Sequence, residues 1–265
     1  MKRCLFRSVL LPAVLALLIC PALLRGDDGP ERKINPMTLP AEDFLKIVRH
    51  VPSQETWAKM SGTAQHKRSG ARRIKAPVRL SIRFTPARIV ARMIFNGSEI
   101  YDLGQAFDPP IATTDVQLKP GVQPQLGLYG IDVSDMTLSF IYKETIREEK
   151  PERVSIFPCR VFMLKGSAEG ETARVFVSME YFFPVKVQWF RKDPGPGMKG
   201  EPYRELEIAS VKKADDNDFY LIPKLEISGP GWRTKIDFDE RSAGYAKDGM
   251  PQDLFAGFAE DAASK

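Results

Sequence analysis

Residues 78–103 read VRLSIRFTPARIVARMIFNGSEIYDL, and their spacing decides the fold class. Val78, Leu80, Ile82 and Phe84 alternate with Arg79, Ser81 and Arg83. Ile89, Ala91, Met93 and Phe95 alternate with Val90, Arg92 and Ile94. Successive side chains of a strand point to opposite faces, so this period of two describes strands with one apolar face. Asn96-Gly97 supplies two residues that tolerate positive φ, which a tight hairpin needs. Glu99 to Leu103 then reads as the returning strand.

The pattern holds toward the C-terminus. Val161 and Met163 alternate with Arg160 and Phe162, and Val175, Val177, Met179 and Tyr181 with Arg174, Phe176, Ser178 and Glu180. Val185, Val187 and Trp189 follow, then Leu206 and Ile208, then Phe219, Leu221, Leu225 and Ile227, then Trp232, Thr234, Ile236 and Phe238. Consecutive strands with one apolar and one mostly polar face predict an antiparallel meander. A sheet this large must curl or close to hide its edges. The expected class is mainly β with some helix. Between the two strand groups, Gly104 to Gln125 is rich in proline and reads as a crossing loop, and Val133 to Tyr142 as a short helix started by Ser134 and Asp135.

Toward the N-terminus the period changes to that of a helix. Phe44, Leu45, Ile47, Val48 and Val51 share one face of a helix over Pro40–Val51, with Thr38 as its cap and Pro52 ending it. Asp27 to Pro36 is a polar leader. Residues 1–26 have Lys2, Arg3 and Arg7, an apolar run from Ser8 to Leu24 and no acid, the pattern of a cleaved secretory signal. An uncleaved anchor fits less well, because Pro21 interrupts a run already shorter than the roughly 20 residues a bilayer needs. Ile19 before Cys20 argues against a lipoprotein cut. The domain is then 37–240, followed by a tail, 241–265, in which Asp253, Leu254, Phe255 and Phe258 predict a short amphipathic helix after Pro251. Location in the periplasm follows.

The net charge of +5 belongs largely to Lys2, Arg3, Arg7 and Arg25. Without them basic and acidic residues nearly balance, which removes the case for nucleic acid. The basic cluster His66, Lys67, Arg68, Arg72, Arg73 and Lys75 surrounds Ser69-Gly70-Ala71 and reads as a solvated hairpin loop. Cys159 is the one cysteine left after the signal, so no internal disulfide forms. Gly195-Pro-Gly-Met-Lys-Gly200 spells G-x-G-x-x-G, but a strand follows it rather than the helix a phosphate site requires. His50 and His66 lack metal-ligand spacing, and Asp215, Asp216, Asn217 and Asp218 lack the glycine and glutamate of a calcium loop. No catalytic residue, metal or cofactor is expected. An apolar cavity that binds an acyl chain leaves no chemical motif, since each buried methylene contributes about 0.8 kcal/mol without any charged residue.

In order, the chain has a signal, a helix over Leu39–Val51, a strand opening at Trp57–His66, and Gly130-Ile-Asp-Val-Ser-Asp135 before a short helix. Tyr181-Phe-Phe-Pro184-Val-Lys-Val and Tyr220-Leu-Ile-Pro-Lys-Leu-Glu226 follow, the latter leading to Gly231-Trp-Arg-Thr-Lys-Ile236. This ensemble resembles the outer membrane lipoprotein-sorting family, the LolA-like group, over most of residues 40–240. The resemblance implies a curved antiparallel sheet forming an incomplete β-barrel with a helical lid over a hydrophobic cavity. It implies a monomeric periplasmic carrier of lipoprotein acyl chains or another lipid, working between membrane-bound donor and acceptor proteins. The alternative is a lipid- or lipoprotein-sensing module that does not transport. The cavity would be lined by Ile82, Phe84, Met93, Phe95, Val177, Met179, Val187, Trp189, Leu225 and Ile227, with Phe44, Ile47, Val48 and Val51 on the lid. An early-strand arginine holds the lid in that family; Arg79, Arg83, Arg88 and Arg92 lie in the comparable region.

Overall fold

A computed structural model describes residues 35–49, 54–213 and 219–258. The signal, the leader up to residue 34, His50, Val51 and the Asp215–Asp218 cluster lie outside the described residues. Twelve strands form one open antiparallel sheet. They are β1 Thr56–Arg68, β2 Ile74–Phe84, β3 Arg88–Phe95, β4 Glu99–Phe107, β5 Pro110–Leu118, β6 Thr145–Val154, β7 Phe157–Lys165, β8 Thr172–Ser178, β9 Pro184–Phe190, β10 Arg204–Lys213, β11 Tyr220–Gly229 and β12 Trp232–Tyr245. Their spatial order is β5-β4-β3-β2-β1-β12-β11-β10-β9-β8-β7-β6. Two meanders therefore meet at the β1–β12 pair, and β5 and β6, consecutive in sequence, form the two opposite edges. The sheet is mainly β, curved and not closed, as the alternation and its length predict.

The central strand pair carries a bulge. The β1–β12 register shifts between Ser61 and Gly62. A Cβ on Gly62 would overlap the carbonyl oxygen of Asp237. Only glycine lets the two central strands approach at this bulge. At the other predicted turn, Asn96 and Gly97 have φ of 52° and 62°, the paired positive values of a tight hairpin.

Most apolar residues of the strands face one side and form a single core. Two segments cover that concave side. Helix α1 is Ala41–Val48, and the crossing 119–144 carries a 3-10 turn Leu126–Tyr129, helix α2 Val133–Thr137 and a second 3-10 turn Ser139–Tyr142. Because β5 and β6 lie at opposite edges, the link between them has to traverse the concave face. Topology thus lays this cover down.

Four readings of the sequence are corrected. Gly104–Gln125 is not a loop throughout: β4 runs to Phe107 and β5 pairs with it from Pro110 to Leu118. Pro109 and Pro110 sit at the hairpin turn, and Pro120 and Pro124 in the crossing, which begins only after Leu118. On β7 the faces are exchanged. Arg160 and Phe162 pair with Val177 and Val175 and look into the concave side, while Val161 and Met163 look out. After a short 3-10 turn at Ala246–Asp248 the tail holds no α-helix among its described residues. It makes turns closed by Leu254 N–H to the Pro251 carbonyl and Ala256 N–H to the Asp253 carbonyl. It straps the convex face, where Trp57 Nε1 donates to the Gly249 carbonyl at 2.8 Å and Arg92 donates to the Phe255 carbonyl. Finally, Thr38 does not cap α1; its hydroxyl donates to the Asn35 carbonyl, and Pro40 occupies the cap position.

Candidate functional site: a covered concave face

Helix α1 follows from its sequence. Pro40 sets an extended entry, Glu42 and Asp43 meet the positive end of the helix dipole, and Phe44, Leu45 and Val48 bury one stripe. Each of those side chains contributes about 1.5–3 kcal/mol by burial. Ile47 is half-buried at the stripe's margin. Phe44 stacks on Phe162 at 5.7 Å and tilts against Phe182 at 5.3 Å.

The polar grip on α1 comes from β7. Arg160 is buried, with a side-chain exposure of 5%. Its Nε and Nη2 donate to the two oxygens of Glu148 on β6, at 2.6 and 2.8 Å. Its Nη1 donates to the carbonyls of Leu39 and Pro36, at 2.7 and 3.2 Å. The guanidinium plane lies 4.6 Å from the Phe44 ring centre. One planar fork therefore joins a sheet edge, the chain entering α1 and an aromatic ring of α1, which the point charge of lysine cannot do.

The crossing is gripped at three places. At its entry the buried Glu99 carboxylate accepts from Gln125 N–H at 3.0 Å, Leu126 N–H at 3.3 Å and the Tyr101 hydroxyl at 2.5 Å. This bond and burial both raise the Tyr101 pKa. In the middle, the Thr234 hydroxyl donates to the Tyr129 carbonyl and so must accept from His66 Nδ1, 2.8 Å away. His66 Nε2 then accepts from Arg68 Nε at 3.3 Å, which fixes the neutral Nδ1–H tautomer. Burial, with Arg68 beside it, lowers the His66 pKa. Gly130 has φ of +66°, and a Cβ there would strike the Trp232 indole.

The third grip holds α2. Asp132 caps it by accepting from Ser134 N–H at 2.8 Å, and Asp135 accepts from Asp132 N–H at 2.8 Å, a complete capping box. Asp135 is fully buried and pairs with Arg204 of β10. Arg204 also donates to the Gly130 carbonyl at 3.2 Å and lies 4.3 Å from the Trp189 ring centre. Burial raises the Asp135 carboxyl to about 6, against the lowering pull of Arg204. Left-handed backbone at Leu138, φ 51°, ends α2 and turns Phe140 edge-on to Trp189 at 5.7 Å. Arg49, just past α1, ties the covers together by donating to the carbonyls of Ile141 and Lys143, at 2.8 and 2.9 Å.

No family sequence model and no curated protein matches the chain. Solved structures do. A DUF1329 family protein from Desulfovibrio piger ATCC 29098 superposes with a TM-score of 0.59 at 12% identity, covering 80% of this chain and 94% of that one. A domain from Vibrio parahaemolyticus named for outer membrane lipoprotein sorting gives 0.52 at 13% identity, covering 85% and 100%. This chain shares the fold of these two structures. A LolA superfamily protein from Nitrosomonas europaea aligns over 77% of this chain and 94% of its own, with a TM-score of 0.48 and 8% identity. At such identities the likeness concerns the fold.

Within this fold the ten residues read as cavity lining come together. Ile82, Phe84, Met93, Phe95, Val177, Val187, Trp189, Leu225 and Ile227 share the concave side, and Met179 lies in the turn after β8. All ten are buried, none more than 9% exposed. Phe44, Met136 and Phe140 belong to the same core, so the covers fill the space above them. Of the lid residues, Phe44 and Val48 are fully buried. Two depressions lie elsewhere. One of about 420 Å³ lies on the convex side between Arg83, Arg88 and Phe255. Another of about 140 Å³ opens at the seam of the crossing with the β4–β5 hairpin, by Gln105, Thr114 and Ser139.

The early-strand arginines do not touch the covers in the contacts described. Arg83 pairs with Glu55 at 2.6 Å and Arg92 with Asp102 at 2.7 Å, both on the convex side, and Arg88 is exposed. Arg79 points the same way by alternation. The arginines at the covers are Arg160, Arg204 and Arg49. Sequence reasoning passed over them because it placed Arg160 on the outer face of β7. His66 also departs from its reading: it is 4% exposed on the concave side, while the loop it was grouped with begins after Arg68.

Proposed function

We propose that the chain is a periplasmic lipid-binding carrier, exported by a cleaved signal at residues 1–26, that takes up lipoprotein acyl chains or another lipid on its concave face. The observation that carries this reading is the way the face is closed. An apolar floor is overlaid by two segments whose borders are fastened by arginine, carboxylate and hydroxyl groups. Apolar packing alone would cover a core that never opens. Polar clasps at the border can be exchanged for water when a cover lifts, whereas the floor beneath needs an apolar substitute. An acyl chain of a dozen methylenes would supply about 10 kcal/mol in that place.

The shared fold and the name of the Vibrio domain support the same reading, which would call for working partners in the two membranes. Among the described residues no helix is long and apolar enough to cross a membrane. The reading is for a binding protein and not an enzyme. The Cys159 thiol is buried and its pKa is raised by burial to about 11, which suits packing and not nucleophilic attack.

Native mass spectrometry of gently purified protein, with titration of a fluorescent acyl probe, tests the proposal. Co-purified lipid or saturable probe uptake is expected. A lipid-free protein that takes up no probe, even with the covers loosened by Arg160→Leu, sinks it. A second reading, a sensor that binds without transporting, is separated by asking whether the protein moves labelled lipoprotein between vesicles.

A further inference from the structure

The two edges of the sheet are protected unequally. β6 reads TIREEKPERV, carries Pro151 and six charged residues, and shifts register twice against β7. Charge, proline and bulges are the ordinary means of keeping a sheet edge from pairing. β5 reads PIATTDVQL and has none of them past its first residue except Asp115. All nine of its residues are exposed, and its register with β4 is unbroken. Ile111, Val116 and Leu118 are 51%, 45% and 36% exposed. Among the described residues β5 pairs with β4 alone, which leaves its outer row of backbone N–H and C=O groups without a strand. A regular, β-branched edge with a single charge is a template for strand addition.

We propose that the occupant of this edge is a second copy of the chain, joined β5 to β5 antiparallel about a two-fold axis at Thr114. The self-complementarity of the strand argues for that occupant. Centred on Thr114, the concave-side pairs are Thr114 with the partner's Thr114 and Ala112 with the partner's Val116. On the convex side Ile111 meets the partner's Gln117, and Asp115 meets the partner's Thr113, whose hydroxyl can donate to the carboxylate. No like charges oppose each other, and threonine and aliphatic pairs of this kind stabilise antiparallel strands. An axis one residue further along would set Asp115 against the partner's Asp115, so the strand selects its own register. Val116 and Thr114 lie on the same side as Tyr101 and Leu103 of β4, so the dimer would make two concave faces continuous. This differs from the monomer expected of the sequence and does not depend on what the concave face binds.

Sedimentation velocity on protein purified from expression of the full chain, across a wide concentration range, tests it. A reversible dimer is expected. Thr114→Lys should weaken it by more than about tenfold, because like charges then meet on the axis. The fold should be untouched, since Thr114 is exposed, and an unchanged melting curve checks this. Mixing Thr114→Lys with Thr114→Glu should restore a heterodimer. A wild-type protein that is monomeric throughout overturns the proposal. So does a dimer that Thr114→Lys leaves intact, or a β5 edge found occupied by a strand of another protein.

Discussion

The two covers of the concave face are fastened differently. Helix α1 is held at its entry by one group, Arg160, whose partner Glu148 is 30% exposed. The crossing is tied by the chain itself to both outer edges of the sheet and is gripped by Glu99, Thr234 and Arg204, with Glu99 and Asp135 buried. Water can replace a part-exposed clasp at little cost, whereas a buried carboxylate stripped of its partner costs several kcal/mol. On the proposed carrier reading, α1 would then be the cover that lifts, with the Arg49 bonds to Ile141 and Lys143 released as well, and the crossing the one that stays.

The strongest way to break this comparison is to remove the floor both covers share. Met93 is 0% exposed, and Met93→Asp should cost more than about 4 kcal/mol and abolish cooperative unfolding in urea. A stable Met93→Asp protein would mean the concave side has been wrongly assigned. Next comes the fixed cover. Arg204→Leu strands Asp135 and should destabilise the protein by about 3 kcal/mol or more, without speeding entry of an acyl probe. A loss below about 1 kcal/mol would show that the crossing does not rely on that pair.

The same cover has a pH signature. The Asp135 carboxyl rises from 3.8 to about 6 on folding, so the folded chain holds this proton more tightly than the unfolded one. The stability it contributes is complete below the unfolded value and is lost as pH rises through the folded one. Relative to Asp135→Asn, the wild type should lose up to about 3 kcal/mol between pH 4 and pH 7. Parallel stability curves for the two proteins would refute the shift. The smallest effect is expected at α1. Arg160→Leu should cost about 1–2 kcal/mol yet accelerate acyl-probe entry in stopped-flow fluorescence. Slower or unchanged entry would reassign the moving cover.

How much of this was legible depended on the side of the sheet. β2, β3 and the central strands declared themselves because one of their faces is buried in a common core, which enforces alternation. β5 and β6 were not read, since an edge strand needs one neighbour and no apolar face; β6 is almost wholly polar and β5 is exposed on both sides. β7 shows the converse failure. Both of its faces are buried, so its run of apolar residues from Val161 to Leu164 carries no parity. Arg160 was put on the outside because arginine seldom lies within. The tail was read as amphipathic from Leu254, Phe255 and Phe258; Leu254 is indeed buried, but it packs against the convex face from a turn.

The sequence by itself determined that strands within residues 78–103 and 175–238 belong to an antiparallel sheet with one apolar side, and most of the residues that fill it, because a two-residue period and turn chemistry are local. It determined the amphipathic α1 for the same reason. Tertiary structure alone decided which strands form the edges, that the link between them must cross the concave face, and which arginines hold the covers. Those facts depend on the order of strands in space. Pairing β1 with β12 brings together residues nearly two hundred positions apart, and no local pattern records it.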